Sequence, residues 1–216
     1  MGFKAVLFDL DGTLLNTLDD LADSMNASLA RFGYPPHPVG DYRYMVGDGL
    51  LNLASRALPE GHRDEETVNK IASAHREEYV RMWANKTRPY EGIPELLDAL
   101  QGRGVILCVL SNKSDEFTRM IVQKFLPNCK FSIVRGQNKD TPIKPNPLAA
   151  NQIAMELGIR NADFLYVGDS NTDMKTANAA GMFPVGVLWG FRTREELLAA
   201  GAKALIERPS ELLRFR

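Results

Sequence analysis

The sequence predicts an α/β protein: a doubly wound parallel sheet, interrupted after its first strand by an α-helical insertion. Three observations lead there. From Tyr90 onward, short apolar runs alternate with segments of helical periodicity, the pattern of parallel strands joined by helices. Between Thr17 and Pro89 that alternation stops and only helical patterns remain. Ahead of both lies one apolar run, Phe3-Lys4-Ala5-Val6-Leu7-Phe8, long enough for a strand buried on both faces.

That first strand stops at two carboxylates, Asp9 and Asp11, on either side of Leu10. Gly12 then lets the backbone turn tightly, and Thr13 adds a small hydroxyl. Leu18, Leu21, Met25, Leu29 and Phe32 follow at threes and fours and end at Gly33, predicting a helix. Tyr34-Pro35-Pro36-His37-Pro38 is a stiff break. Gly47-Asp48-Gly49 precedes a second helix carrying Leu50, Leu51, Leu53, Ala54, Ala57 and Leu58. A longer helix is predicted over 65–85, with Val68, Ile71, Ala72, His75, Tyr79 and Met82 on one stripe. Residues 16–89 therefore form an inserted helical unit, hinged near Leu15–Asn16 and Pro89, and 1–15 with 90–216 form the α/β core.

Within the core, Gly92-Ile93-Pro94 opens a helix that Gly102 and Gly104 end. Strands are expected over 105–110, 131–134, 164–167 and 184–188, with a strand-like Ala204-Leu205-Ile206 near the end. Helices are expected over 115–125, 147–157, 171–180 and 194–199. This is a Rossmann-like arrangement.

Composition narrows the function. Charged residues are 25% of the chain and the formal net charge is −1, which gives no electrostatic footprint for nucleic acid. No apolar run approaches the roughly 20 residues that cross a bilayer, and the early first strand leaves no room for a signal peptide. Cys108 lies in a strand-like run and Cys129 in a loop, without metal or redox spacing, so a cytoplasmic protein with two idle thiols is expected.

In a sheet of this kind the C-terminal ends of neighbouring strands share one ligand-binding crevice. Three strand ends are unusually polar: Asp9/Asp11/Thr13, Ser111/Asn112 and Asp169/Ser170/Asp173. A single Asp-x-Asp-Gly could be only a strand ending in a turn with a solvated second aspartate. Three such ends on the ligand side are hard to explain that way. Asp9 with Asp169 would give Mg²⁺ the hard oxygen ligands it prefers, while Thr13, Ser111 and nearby backbone N–H groups suit phosphate oxygens. Lys144, in Ile143-Lys144-Pro145-Asn146-Pro147, is available to balance charge, or is simply an exposed loop lysine.

The ordered set Asp9-Leu10-Asp11-Gly12-Thr13, Ser111-Asn112, Lys144-Pro145 and Gly168-Asp169-Ser170-Asn171-Thr172-Asp173 resembles the haloacid dehalogenase superfamily hydrolases. Within them the chain is similar to the phosphoglycolate phosphatase group, over essentially its whole length. The resemblance implies that the insertion is an α-helical cap, that Asp9 is a nucleophile forming an aspartyl-phosphate, and that Asp11 is the general acid and base. It implies Mg²⁺ on the side chains of Asp9 and Asp169 and the backbone carbonyl of Asp11. Ser111 and Lys144 would bind the transferring phosphoryl group, with Thr13 and Asn112 beside it, while Asp173 and Ser170 support metal and lysine. The substrate would be a small phosphorylated metabolite, 2-phosphoglycolate first, with pyrophosphate, nucleotides and sugar phosphates as alternatives. The protein would be a monomer or homodimer.

Rival branches of the superfamily fit less well. A phosphosugar mutase would resemble β-phosphoglucomutase in carrying an Arg-Gly motif in the cap, whereas Met45-Val46-Gly47-Asp48-Gly49-Leu50 stands there. A dehalogenase lacks the second aspartate, and a phosphonate hydrolase needs an early cap lysine that 17–44 does not contain. Arg56 is either a solvated cap arginine or a partner for a substrate carboxylate. His75 is expected in the apolar core of its helix, Trp83 and Trp189 in packing roles, and His37 and His62 in loops.

Overall fold

A computed structural model of the chain describes residues 2–215. In chain order the elements are β1 (Ala5–Phe8), β2 (Leu15–Asn16), α1 (Leu18–Arg31), α2 (Tyr42–Met45), α3 (Leu50–Ala57), α4 (Glu65–Met82) and β3 (Arg88–Pro89). There follow α5 (Ile93–Gly102), β4 (Ile106–Ser114), α6 (Asp115–Phe125), β5 (Ile133–Gln137), α7 (Leu148–Leu157), β6 (Phe164–Gly168), α8 (Asn171–Ala180), β7 (Phe183–Val187), α9 (Arg194–Ala199) and β8 (Ala204–Ile206). The chain divides into two compact units, one of residues up to Leu15 and from Pro89 onward, the other Asn16–Arg88.

The first unit holds a six-stranded sheet in the order β5-β4-β1-β6-β7-β8, with every pairing parallel. β1 lies between β4 and β6, where the strand order reverses, so its C-terminal end opens on the crevice such sheets use for ligands. All four residues of β1 are buried. Ala5 and Leu7, with Cys108, Leu110, Phe164 and Tyr166, pack against Ala150, Ile153 and Ala154 of α7 and Ala177 of α8. The alternate residues Val6, Phe8, Leu107 and Val109 are also buried, as are Ile93, Leu96, Leu97 and Leu100 of α5. Both faces of the sheet are covered, which is why its strands read as continuous apolar runs.

β4 differs from the sequence expectation. It continues through Ser111, Asn112 and Lys113 to Ser114, with a register shift against β5 between Leu110 and Ser114. An irregularity of this kind re-aims side chains near a strand end, and here it carries three polar residues into the crevice.

The second unit is helical. α1 lies along α4, and Met25, Leu29, Tyr42, Ala54, Leu58, Ile71 and Tyr79 are among its buried residues. Asp64 caps α4 by accepting from the Thr67 N–H at 3.0 Å. Tyr42 lies in a short helix that the sequence did not mark, and its hydroxyl donates to Asn26 Oδ1 at 2.7 Å. Asn26 also pairs both ways with the His37 backbone, and the His37 ring meets the Ala57 carbonyl at 2.8 Å. His75 is buried and stacked on Tyr79.

Asp20, in the first turn of α1, is buried at 1% exposure. Its carboxylate accepts from the Lys86 N–H and from the N–H and hydroxyl of Thr87. Asp20→Ala leaves those donors without their acceptor, and a loss of about 2–4 kcal/mol is expected. Denaturant unfolding checks this as a lower midpoint at unchanged slope.

Candidate active site

Asp9 follows β1 directly, and its N–H donates to the Val167 carbonyl at 2.9 Å, prolonging the ladder to β6. The chain then folds back on itself: the Leu10 carbonyl accepts from Thr13, Leu14 and Leu15 N–H groups at 3.3, 3.0 and 3.0 Å. Gly12 adopts φ +85, and a Cβ there would overlap the Asp169 carboxylate and press on the Phe191 ring. Only glycine lets the Asp9–Thr13 turn approach the end of β6 so closely.

Lys144 is the centre of the arrangement. Its ammonium donates to Asp9 Oδ1 at 2.7 Å, to Asp173 Oδ1 at 2.7 Å and to the Leu110 carbonyl at 3.2 Å, and the residue is 4% exposed. It is not the exposed loop lysine that the sequence alone allowed. Asn112 holds its backbone: the Lys144 N–H donates to Asn112 Oδ1 at 2.8 Å, and Asn112 Nδ2 donates to the Lys144 carbonyl at 3.0 Å. The amide of Asn112 thus acts as a two-bond clamp between the end of β4 and the lysine loop.

Asp173 sits in the first turn of α8, in a capping box with Ser170. Its Oδ2 accepts from the Ser170 N–H at 3.1 Å and hydroxyl at 2.5 Å, so Ser170 orients the carboxylate that holds Lys144. Asp169 accepts from the Thr13 hydroxyl at 3.1 Å and from the Phe191 N–H at 2.8 Å. Ser111 is buried, and its oxygen accepts from the Lys113 N–H at 3.1 Å. Arg56, in the helical unit, donates to Asp48 Oδ2 at 2.5 Å and to the Met45 carbonyl at 3.0 Å, which fastens the loop ahead of α3.

Charges this dense strain one another. Burial, then the neighbouring charge of Asp173, push the Asp9 carboxyl well above the usual carboxylate range, although Lys144 pulls the other way. Burial and Asp173 likewise push Asp169 up to about 7. Burial works against the charge of Lys144, but Asp173 and Asp9 outweigh it and hold the ammonium well above its ordinary value. Asp9, Asp169 and Asp173 offer carboxylate oxygens that all lie within 4.8 Å of one another. Of these three buried carboxylates Lys144 bonds two, Asp9 and Asp173, while Asp169 is met by the uncharged Thr13 and Phe191 donors, so a hard divalent cation fits the donor chemistry and the missing positive charge.

Sequence reasoning missed two parts of the site. Lys113 Nζ donates to both oxygens of Asp11, at 3.0 and 2.9 Å, with side chains 8% and 17% exposed. The segment after β7 braces the other side: Trp189 Nε1 donates to the Thr13 carbonyl at 3.0 Å, and Phe191 holds Asp169 as described. Gly190 lies between them, where a Cβ would overlap Asp169. A glycine between two aromatics just past a strand end was the available clue.

Fold and site together define an α/β enzyme with a buried carboxylate at the end of its central strand, and with lysine and hydroxyl donors gathered around it. Residues 6–187 match the haloacid dehalogenase-like hydrolase family, and the chain belongs to that family. The phosphoglycolate phosphatase of Xylella fastidiosa strain 9a5c is 30% identical over 212 residues, covering 98% of this chain and 92% of that protein. The phosphoglycolate phosphatase of Haemophilus influenzae strain 86-028NP is 32% identical over 195 residues, covering 88% and 87%. The crystal structure of a predicted phosphoglycolate phosphatase from Haemophilus somnus 129pt superposes with a TM-score of 0.91 at 28% identity, covering 98% of this chain and 97% of that one. The chain is accordingly a phosphatase, a phosphoric monoester hydrolase. No helix among the described residues is long and apolar enough to cross a membrane.

Proposed function

We propose that this phosphatase hydrolyses a small phosphate monoester, 2-phosphoglycolate before others, by way of an aspartyl-phosphate on Asp9. The observation that carries the proposal is the Lys144 ammonium held between Asp9 and Asp173. It places a fixed positive charge beside the carboxylate that would receive the phosphoryl group.

An Asp9 oxygen attacks phosphorus, the bond from phosphorus to the ester oxygen breaks, and Asp11 gives its proton to the departing alkoxide. Asp11 then takes a proton from water, the water oxygen attacks phosphorus, and the bond to Asp9 breaks, returning free carboxylate and inorganic phosphate. Splitting the displacement this way replaces one hard step with two easier ones. Lys144 and Ser111 bind the equatorial oxygens during both transfers. Mg²⁺ would be held by Asp9, Asp169 and the Asp11 carbonyl, and supplies charge neutralisation at the phosphoryl group. Thr13 and Asn112 serve through Asp169 and the Lys144 loop. The helical unit, 16–88, is the cap, and its Arg56 remains a candidate contact for substrate. A cytoplasmic location agrees with two unpaired cysteines.

The test is a panel of phosphate esters with Mg²⁺: 2-phosphoglycolate, pyrophosphate, nucleotides and sugar phosphates. The highest kcat/KM is expected for 2-phosphoglycolate, and a higher value for another member overturns that assignment. Chelation is expected to remove activity, Mg²⁺ to restore it, and Ca²⁺ to inhibit because it favours looser, higher coordination. Full activity after exhaustive chelation contradicts the metal assignment.

A further inference from the structure

We propose that Lys113 is the residue that recognises the leaving group, and that it selects esters whose alcohol carries a carboxylate next to the ester carbon. This rests on the assignment of Asp11 as the group that serves the ester oxygen. Four carboxylates gather at these strand ends, and their two bonded lysines are divided between them. Lys144 is bonded to Asp9 and Asp173, on the phosphoryl side. Lys113 is bonded to Asp11, 2.9 Å away, which on that assignment is the side from which the alcohol departs. An ammonium within hydrogen-bond distance of Asp11 is one contact away from the ester oxygen. It therefore meets whatever the alcohol carries on its first carbons.

The ammonium is held in position before any substrate arrives. The Lys113 carbonyl accepts from Thr118 Oγ1 at 3.2 Å, and its N–H donates to Ser111 Oγ at 3.1 Å. A Cβ on Gly136 would lie only 2.6 Å from the same carbonyl, so β5 packs directly against this backbone. The side chain is 8% exposed, so its charge is already largely stripped of water and fixed by Asp11. A preorganised, poorly hydrated ammonium gains a short charge-assisted bond from a second carboxylate at little ordering cost. A neutral hydroxyl in its place offers only a weaker, uncharged acceptor. In 2-phosphoglycolate a single methylene separates the ester oxygen from the carboxylate, a span that suits the short step from Asp11 to Lys113.

The experiment compares 2-phosphoglycolate with ethylene glycol monophosphate, an ester of the same length whose alcohol portion is uncharged, on the native enzyme, Lys113→Met and Lys113→Arg. The native enzyme is expected to favour the carboxylate ester in kcat/KM. Lys113→Met is expected to cut that preference on the order of 10- to 100-fold, mainly through KM, and Lys113→Arg to restore much of it. If Lys113→Met does not fold, Lys113→Gln takes its place. On the native enzyme, glycolate is also expected to inhibit hydrolysis of p-nitrophenyl phosphate far more strongly than ethylene glycol does. Equal losses on the two esters in the variant would show that Lys113 serves Asp11 alone, and would overturn the inference. So would a native enzyme that hydrolyses p-nitrophenyl phosphate but treats the two esters alike, with the phosphatase assignment intact. Failure to release phosphate from any ester would instead overturn the underlying function.

Discussion

Asp9→Asn is expected to abolish turnover, by on the order of 10⁴-fold or more, together with any covalent phosphoenzyme. An amide is a poor nucleophile, while its shape still allows the side-chain oxygen to accept from Lys144. The fold is expected to survive and even gain, because burial and Asp173 already disfavour the charge on Asp9. A melting temperature equal to or above that of the native protein, alongside lost activity, separates chemistry from folding. Asp11→Asn is expected to behave differently. It would remove the proton relay proposed for Asp11, commonly worth ~10²–10⁴-fold, and the defect should be smallest for aryl phosphates, whose leaving groups need little protonation. Phosphate release from an alkyl and an aryl ester by both variants checks the contrast.

Lys144→Met is expected to be nearly as damaging to activity and, unlike Asp9→Asn, to weaken the fold. The buried carboxylates of Asp9 and Asp173 would lose the ammonium they share. Removing one partner from a buried pair costs about 3–5 kcal/mol. The deficit is expected to depend on pH. The Asp9 carboxyl is raised in the folded protein, so the folded state holds a proton that the unfolded chain loses as pH rises above the ordinary carboxylate range. Its contribution is therefore fully present at low pH and is lost as pH rises through the folded value. Without Lys144 that loss deepens. In chelator, thermal unfolding of the variant is expected to lie closest to the native protein near pH 5 and furthest from it near pH 8.

Much of the core was legible because parallel strands buried on both faces leave continuous apolar runs. Ala5–Phe8 and Phe164–Gly168 end where the sequence turns acidic, and those ends proved to be neighbours in the sheet. The end of β4 was not legible. Ser111 to Ser114 is polar and looks like a loop, yet pairing with β5 carries the strand through it. The roles of individual donors were hidden for a related reason. Asn112 looks like a phosphate ligand in a motif, but its amide is engaged by the Lys144 backbone. Thr13 looks the same, but its hydroxyl is directed at Asp169. Lys113 and Phe191 meet Asp11 and Asp169 across 102 and 22 residues of sequence. No local periodicity reports such contacts, and Asp20 shows the same limit in the helical unit, where its partners lie 66 and 67 residues away.

The central claim is that the phosphoryl group passes through Asp9, and acid-quenched enzyme analysed by mass spectrometry tests it directly. Native enzyme and Asp11→Asn are mixed with substrate and Mg²⁺, quenched, digested and searched for a peptide carrying phosphate. One modified peptide is expected, spanning Phe3 to Leu15, with an acid-stable, base-labile phosphate on Asp9. The modification is expected to build up further in Asp11→Asn, because no base remains to activate water. Phosphate found on Ser111, or an Asp9→Asn enzyme that still releases phosphate, would contradict it.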